Sequence, residues 1–173
     1  MNQIRPAWAN TSDLLRQYYD EEWGFPITDS AGIFERIVLE SFQSGLSWET
    51  VLRKRPAFRE AFAGFDPNAV AAFNDDDVAR LLSNPAIIRN ERKIRAAITN
   101  AQATLALEES GRPLSTLVWS FAPQDSYGAG PDAGSSPESS ALARELKAAG
   151  FTFVGPVTMF ALMQAIGMYD HRL

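Results

Sequence analysis

Three features of the sequence predict an all-α fold. Apolar residues recur at three- and four-residue spacing along most of the chain, helix-capping residues precede those runs, and no segment shows a convincing strand alternation. The first helix is predicted in SDLLRQYYDEEWG (12–24), opened by Ser12 as its cap and closed at Gly24. DSAGIFERIVLESFQSGL (29–46) is a long central helix. Its apolar positions Ile33, Phe34, Ile37, Val38, Leu39, Phe42 and Leu46 cover more than half of the circumference. A new helix starts after Gly45 in SWETVLRKR (47–55), with Ser47 as cap. Pro56, Pro67 and Pro85 punctuate short helices around AFREAFAGF, PNAVAAF and DDDVARLLS. NERKIRAAITNAQATLALEES (90–110) repeats apolar residues at Ile94, Ile98, Ala101 and Leu105 and stops at Gly111. Residues 122–137, APQDSYGAGPDAGSSP, are too long for an ordinary turn and are predicted to form a mobile loop. Ser136-Pro137 opens the helix ESSALARELKAAG, and PVTMFALMQAIGM forms a last, mostly buried one.

With 173 residues, the chain suffices for one domain with a real core, or two small lobes sharing one. Its 46% hydrophobic and 21% charged residues are those of a soluble globular protein. No window is apolar enough to cross a membrane, and MNQIRPAWANTSD lacks the basic-then-apolar order of a signal peptide. A cytoplasmic location without a membrane partner is expected.

The absence of cysteine removes disulfides, thiol nucleophiles and Cys-based zinc sites together. Only one histidine is present, His171, so a histidine triad or a multi-histidine metal site is not expected. Chemistry must rest on Asp, Glu, Tyr, Trp, Ser, Lys or Arg. The net charge of −5 argues mildly against a nucleic-acid partner. Eight of the 16 basic residues nevertheless fall in two segments: Arg53, Lys54, Arg55 and Arg59, then Arg89, Arg92, Lys93 and Arg95. Solvated helix faces also produce such clusters, so they permit DNA binding without requiring it.

Within LESFQSGLSW (39–48), Glu40 follows Ile33 by seven positions and Ile37 by three, which sets it beside the apolar face of the central helix. A carboxylate there is costly unless it is paired or lines a cavity. Two readings stand: an edge residue whose head reaches solvent, or a pocket carboxylate. Trp48, at a helix start, is equally open between core anchor and pocket wall.

Five segments in this order, YYDEEWGFPITDS, LESFQSGLSWETVLRKR, NPAIIRNERKIRAAITNA, VWSF and GFTFVG…MQAIG…DH, closely resemble the DNA-3-methyladenine glycosylase I family, from Trp8 to His171. The resemblance implies a single all-α domain over 1–173, of helix-hairpin-helix glycosylase type, with two helical lobes sharing a pocket. It implies base-excision repair of double-stranded alkylated DNA by hydrolysis of the N-glycosidic bond, with free 3-methyladenine as product and no cofactor. By position, Glu40 takes the place of the family's pocket glutamate and Trp48 that of its stacking tryptophan. Tyr18 and Trp8 fall on further pocket aromatics; on chemistry alone Trp8 and Trp23 read as packing residues. Adjacent Tyr18 and Tyr19 point to different sides of a helix, so at most one faces a pocket.

The chemistry is consistent with those positions. A base inside a duplex must be flipped out to be reached, then held by stacking and edge hydrogen bonds. A base methylated at N3 is cationic, which suits both an indole face and a carboxylate. The resemblance further implies DNA contacts from Gln43 and Gly45, where the protein pushes into the gap left by the base. It implies a phosphate-binding turn at Ala86, flanked by Arg89, Arg92 and Lys93. Where the family usually has glycine this chain has Ala86, a cost if the turn needs positive φ or a very close phosphate approach. Phe42 likewise replaces a common glutamine.

Many members of that family hold a structural zinc with two Cys and two His. Here the cysteines are missing, Tyr19 replaces a histidine, and only His171 of the four ligands is retained. Zinc is therefore not expected; packing of Tyr19 against MYDHRL is the expected substitute. The resemblance leaves two alternatives to a glycosylase. One is a catalytically silent module that recognises alkylated or distorted DNA; the other is a helical domain that binds a purine or a protein.

Overall fold

The computed structural model describes residues 4–173; residues 1–3, which belong to the N-terminal segment and the 1–173 domain read above, lie outside the described residues. Among the described residues the chain is all-helical, with no strand. A 3-10 turn at Ala7–Asn10 precedes α1 (Asp13–Glu21), α2 (Ser30–Gln43) and α3 (Trp48–Ala61). After a second 3-10 turn at Ala63–Phe65 come α4 (Pro67–Ala71), α5 (Asp75–Leu82), α6 (Glu91–Glu109), α7 (Leu114–Trp119), α8 (Pro137–Ala148) and α9 (Pro156–Ala165).

Capping chemistry sets most of the starts. The Ser12 hydroxyl accepts from the Leu15 amide, and Ser47 accepts from Thr50. Ser136 and Ser139 form a reciprocal capping box at the head of α8. Each such cap is worth about 1 kcal/mol, enough to place a boundary but not to hold a fold. Packing does the latter. α2 is the hub, in contact with α3, α6, α7 and α9, and Ile33, Phe34, Ile37, Val38, Leu39 and Phe42 are all buried.

Three boundaries differ from expectation. α2 ends at Gln43, so Leu46 lies outside it and is 39% exposed rather than part of the core. Ser44 leaves helical geometry at ψ 119 and Gly45 follows at φ 79; a Cβ there would meet nothing, so glycine is required by the backbone angle rather than by space. Pro56 does not divide α3, which runs through it. An internal proline costs about 3 kcal/mol. Phe58 and Phe62 just beyond it are fully buried against Phe42, at 4.7 and 6.0 Å between ring centroids. Burying two such rings contributes roughly 3–6 kcal/mol, which offsets the proline. Finally, α7 was not expected: its six residues have no side-chain cap and too little length to show a period.

The Gly- and Ser-rich segment from 122 to 136 contains no helix and is tied to the end of the chain. Asp170 N–H donates to Ser126 O at 2.8 Å, and Gln164 Nε2 to Pro131 O at 3.1 Å. The last residues close over α1. Arg172 donates to the carbonyls of Tyr19 and Trp23, its guanidinium lies 4.5 Å from the Tyr19 ring centroid, and Leu173 N–H donates to the Tyr19 hydroxyl. Among the described residues, no helix is long and apolar enough to cross a membrane.

Candidate functional site

A cavity of about 410 Å³ opens between the first 3-10 turn, α1, α2, the head of α3 and α9. Its walls include Trp8, Tyr18, Glu40, Gln43, Trp48 and Gln164. Four of the sequence-derived site residues, far apart in the chain, therefore meet here with Gln43. The aromatics form one continuous wall: Trp8 and Tyr18 are 6.4 Å apart between ring centroids, and Tyr18 and Trp48 are 5.6 Å apart. Trp48 is half-buried, with one edge against the core, so both readings of it hold in part. Trp23, read as a packing residue, lines the cavity as well, while stacking on Tyr19 at 5.5 Å.

Glu40 is 6% exposed and makes no hydrogen bond to any described residue. No fully enclosed polar side-chain atom among the described residues lacks a partner, so its unbonded oxygens reach the cavity space. Burial pushes its carboxyl up to about 8, partly opposed by the charge of Arg36 one turn earlier on α2. An edge position with the head in bulk solvent is not what the structure has. Glu40 is a carboxyl kept without a protein partner at the bottom of an aromatic-walled space.

Beneath that wall lies a partly buried charge cluster. Arg36 donates to the Tyr18 hydroxyl at 3.2 Å and to Glu22 at 2.6 Å, and Arg55 donates twice to Glu22, at 2.8 and 2.6 Å. Desolvation alone would raise the Glu22 carboxyl, but Arg55 and Arg36 hold it down at about 2. Burial raises the Tyr18 phenol well above its ordinary value, so it stays protonated. Tyr19, its neighbour, faces away from the cavity and is fully buried.

The turn after α2 stands at the cavity rim. Gln43 Nε2 donates to Leu46 O at 2.8 Å and Leu46 N–H returns to Gln43 O at 2.7 Å, which fixes Gly45 and projects Leu46 into solvent. The α5–α6 hairpin packs behind it. Asn84 accepts from the Ala86 amide, and Asn90 caps α6. Ala86 is exposed and is not in the left-handed region, so the turn puts no backbone strain on an alanine. The amides of Ile88 and Arg89 donate to no described residue, and those of Glu91 and Arg92 open α6. Arg89 and Arg92 are exposed and outside any ion pair among the described residues. Lys93 differs from the expectation of an added surface charge. It is buried, and its ammonium donates to the carbonyls of Phe42 and Ser44 at 2.8 and 2.6 Å.

The residues present do not fit a structural zinc. His171 Nε2 donates to Tyr127 O at 2.8 Å, which leaves Nδ1 to accept from Gln164 at 3.0 Å, so neither ring nitrogen is open. Among the described residues no three His, Cys, Asp or Glu side chains converge.

Gln164 and Arg36 were not identified in the sequence as site residues. Gln164 carried a signal: it is a polar side chain inside the apolar run PVTMFALMQAIG, as Glu40 is inside its own. Arg36 carried little, since an arginine on an amphipathic helix ordinarily faces water.

The methyladenine glycosylase family matches residues 8–173 of this chain. DNA-3-methyladenine glycosylase 1 of Escherichia coli (strain K12) is 44% identical, over 96% of this chain and 92% of that protein. A solved structure of 3-methyladenine DNA glycosylase I superposes with a TM-score of 0.91 at 46% identity, over 96% of this chain and 94% of that one. A tyrosine-to-phenylalanine variant of 3-methyladenine DNA glycosylase I, solved in complex with 3-methyladenine, gives 0.90 at 34% identity, over 100% and 95%. With the match extending over nearly the whole chain in sequence and in fold, this chain belongs to the methyladenine glycosylase family.

Proposed function

We propose that this chain is a DNA repair glycosylase that flips 3-methyladenine out of double-stranded alkylated DNA and hydrolyses its N-glycosidic bond. The observation that carries the reading is Glu40: a buried carboxyl without a protein partner, facing a cavity walled by Trp8, Tyr18 and Trp48. A normal adenine is neutral and offers little to offset that buried acid. The N3-methylated base is cationic, so its entry pairs Glu40, favours the ionised form and adds a cation–π contact with the indole of Trp48. The exocyclic amine is a donor for Glu40, and a ring nitrogen is an acceptor for the phenol of Tyr18. When the C1′–N9 bond breaks, the pair of electrons stays on the base, which leaves neutral; water adds to C1′ and gives up one proton to solvent. No proton need be supplied to the leaving group, so a strong general acid is unnecessary.

Around the cavity, the Gln43–Leu46 turn is the element that enters the gap left by the flipped base. Gly45 sets its backbone, and Leu46 presents an apolar wedge. The free amides at the head of α6, with Arg89 and Arg92, receive a phosphate of the same strand. A cytoplasmic location accords with this role. The test is to incubate methylated duplex DNA with the protein and identify the released bases. Release of 3-methyladenine is expected. DNA binding without release would replace the enzyme with a silent recognition module.

A further inference from the structure

Among the groups of the cavity wall without a protein partner are an acceptor and a donor that both adjoin Arg36. Glu40 receives no hydrogen bond from any described residue, and the hydroxyl hydrogen of Tyr18 is donated to none. Arg36 stands behind both. It is buried, precedes Glu40 by four residues on α2, and sends one guanidinium branch to Glu22 and the other to the Tyr18 oxygen. We propose that Arg36 is a positioning residue of the base pocket, which aims the Tyr18 hydroxyl hydrogen into the cavity by occupying the phenol oxygen from behind. This rests on the reading of the cavity as a 3-methyladenine site.

The geometry supports a role through the hydroxyl. A phenol can donate one hydrogen and accept elsewhere. Arg36 can only donate, so the bond between them makes Tyr18 the acceptor and turns its own hydrogen away from the guanidinium. The fork is held still by Glu22, which Arg55 grips independently with two bonds. Loss of Arg36 would therefore leave Glu22 paired, and the fold need not fail. Arg36 also lies 5.6 Å from the Tyr18 ring centroid, a contact that a phenylalanine would keep, so removing the hydroxyl separates the two effects. With the hydrogen aimed, the wall offers a donor at Tyr18 and an acceptor at Glu40. That pair complements an adenine edge, which places an amine donor next to a ring-nitrogen acceptor.

The experiment is a double-mutant cycle on binding of free 3-methyladenine. Wild type, Arg36→Met, Tyr18→Phe and the double variant are titrated calorimetrically, with melting temperatures recorded for each. We expect Arg36→Met to weaken binding about tenfold when the hydroxyl is present and less than twofold in the Tyr18→Phe protein, the scale of one hydrogen bond. Equal losses in both backgrounds would mean that Arg36 acts through its charge on Glu40 or by bracing the ring, and would overturn the proposal. Arg36→Leu guards against misfolding: it keeps an apolar stem in the helix and carries no donor, so Tyr18 loses its partner while Glu22 stays with Arg55. It should show the same tenfold loss, and a folded Arg36→Leu protein binding as tightly as wild type would also overturn the proposal. If wild type itself does not bind 3-methyladenine, the reading of the cavity fails first and this inference with it.

Discussion

Lys93 donates its ammonium to the carbonyl of Ser44 at 2.6 Å and so joins the α5–α6 hairpin to the turn at the cavity rim. Its second bond goes to Phe42 O, at the end of α2, where backbone carbonyls lack helical partners. Burial lowers its ammonium below the ordinary lysine value, yet two carbonyl acceptors keep a charge useful there. Lys93→Met should destabilise the fold by about 1–3 kcal/mol, because two acceptors lose their donor. Urea unfolding measures this. Binding to DNA should lose affinity without a change in salt dependence, since the ammonium faces carbonyls and not phosphates.

Arg89 and Arg92 should behave in the opposite way. Both are exposed beside the free amides of α6, with no ion pair among the described residues to lose. Arg89→Ala should leave the unfolding midpoint unchanged, and Arg92→Ala should lower it only slightly, through the contact of its guanidinium with the Phe153 ring at 5.9 Å from the centroid. The slope of log affinity against log salt should fall by about 1 per residue. An unchanged slope in both variants would remove the hairpin from the DNA interface.

That contrast marks how far the sequence can be read. Three basic residues within five positions look alike in NPAIIRNERK, yet Arg89 and Arg92 stay exposed, Arg92 over the Phe153 ring, while Lys93 reaches across to α2. Local periodicity identified most helices because each buries one stripe of its own surface. It missed α7 and misjudged Pro56, where the decision lies with partners distant in sequence such as Phe42. At the site, Glu40 was conspicuous as a charge on an apolar face. The resemblance supplied Trp48, Tyr18 and Trp8, and the structure gathers them with Glu40 around one cavity. Arg36 and Gln164 depend on which helix faces them, and no spacing within one helix encodes that.

The terminal contacts invite a test of what stabilises this chain. Arg172 links the carbonyls of Tyr19 and Trp23 and lies between the rings of Tyr19 and Phe25. Arg172→Ala should lower stability by about 1–3 kcal/mol through the lost charged hydrogen bonds. Metal chelators should leave the melting temperature of wild type where it is. A chelator-induced fall, or one equivalent of zinc in the purified protein, would contradict the engagement of both His171 ring nitrogens.

Trp48 should carry most of the stacking on the bound base. It meets Tyr18 at a 52° tilt and keeps a face on the cavity that also contains Glu40. Base–aromatic stacking is worth roughly 1–3 kcal/mol, so Trp48→Ala should weaken free 3-methyladenine by about one to two decades. Tryptophan fluorescence should change on addition of the base in wild type and lose most of that change in the variant. A folded Trp48→Ala protein that binds as tightly as wild type would make Trp48 a core residue only.

Glu40→Gln separates the function of the carboxyl from its burden on the fold. The variant keeps the shape of the side chain and removes the charge that pairs with a cationic base, so release of 3-methyladenine should fall. The loss should be moderate, since the methylated base leaves without protonation. In wild type kcat/KM should rise with pH through about 8 as Glu40 ionises, and the variant should lack that rise. Stability should move the other way. The folded carboxyl titrates near 8 against an ordinary 4.5, so between those values the folded chain holds a proton that the unfolded chain has released. Its contribution is complete below 4.5 and is lost as pH climbs through 8. Glutamine has no such titration. Relative to wild type, Glu40→Gln should therefore gain stability from pH 5 to pH 9, by about 2–4 kcal/mol at most. Urea midpoints at three pH values decide it: a constant difference between the two proteins would mean that Glu40 is already ionised in the empty cavity.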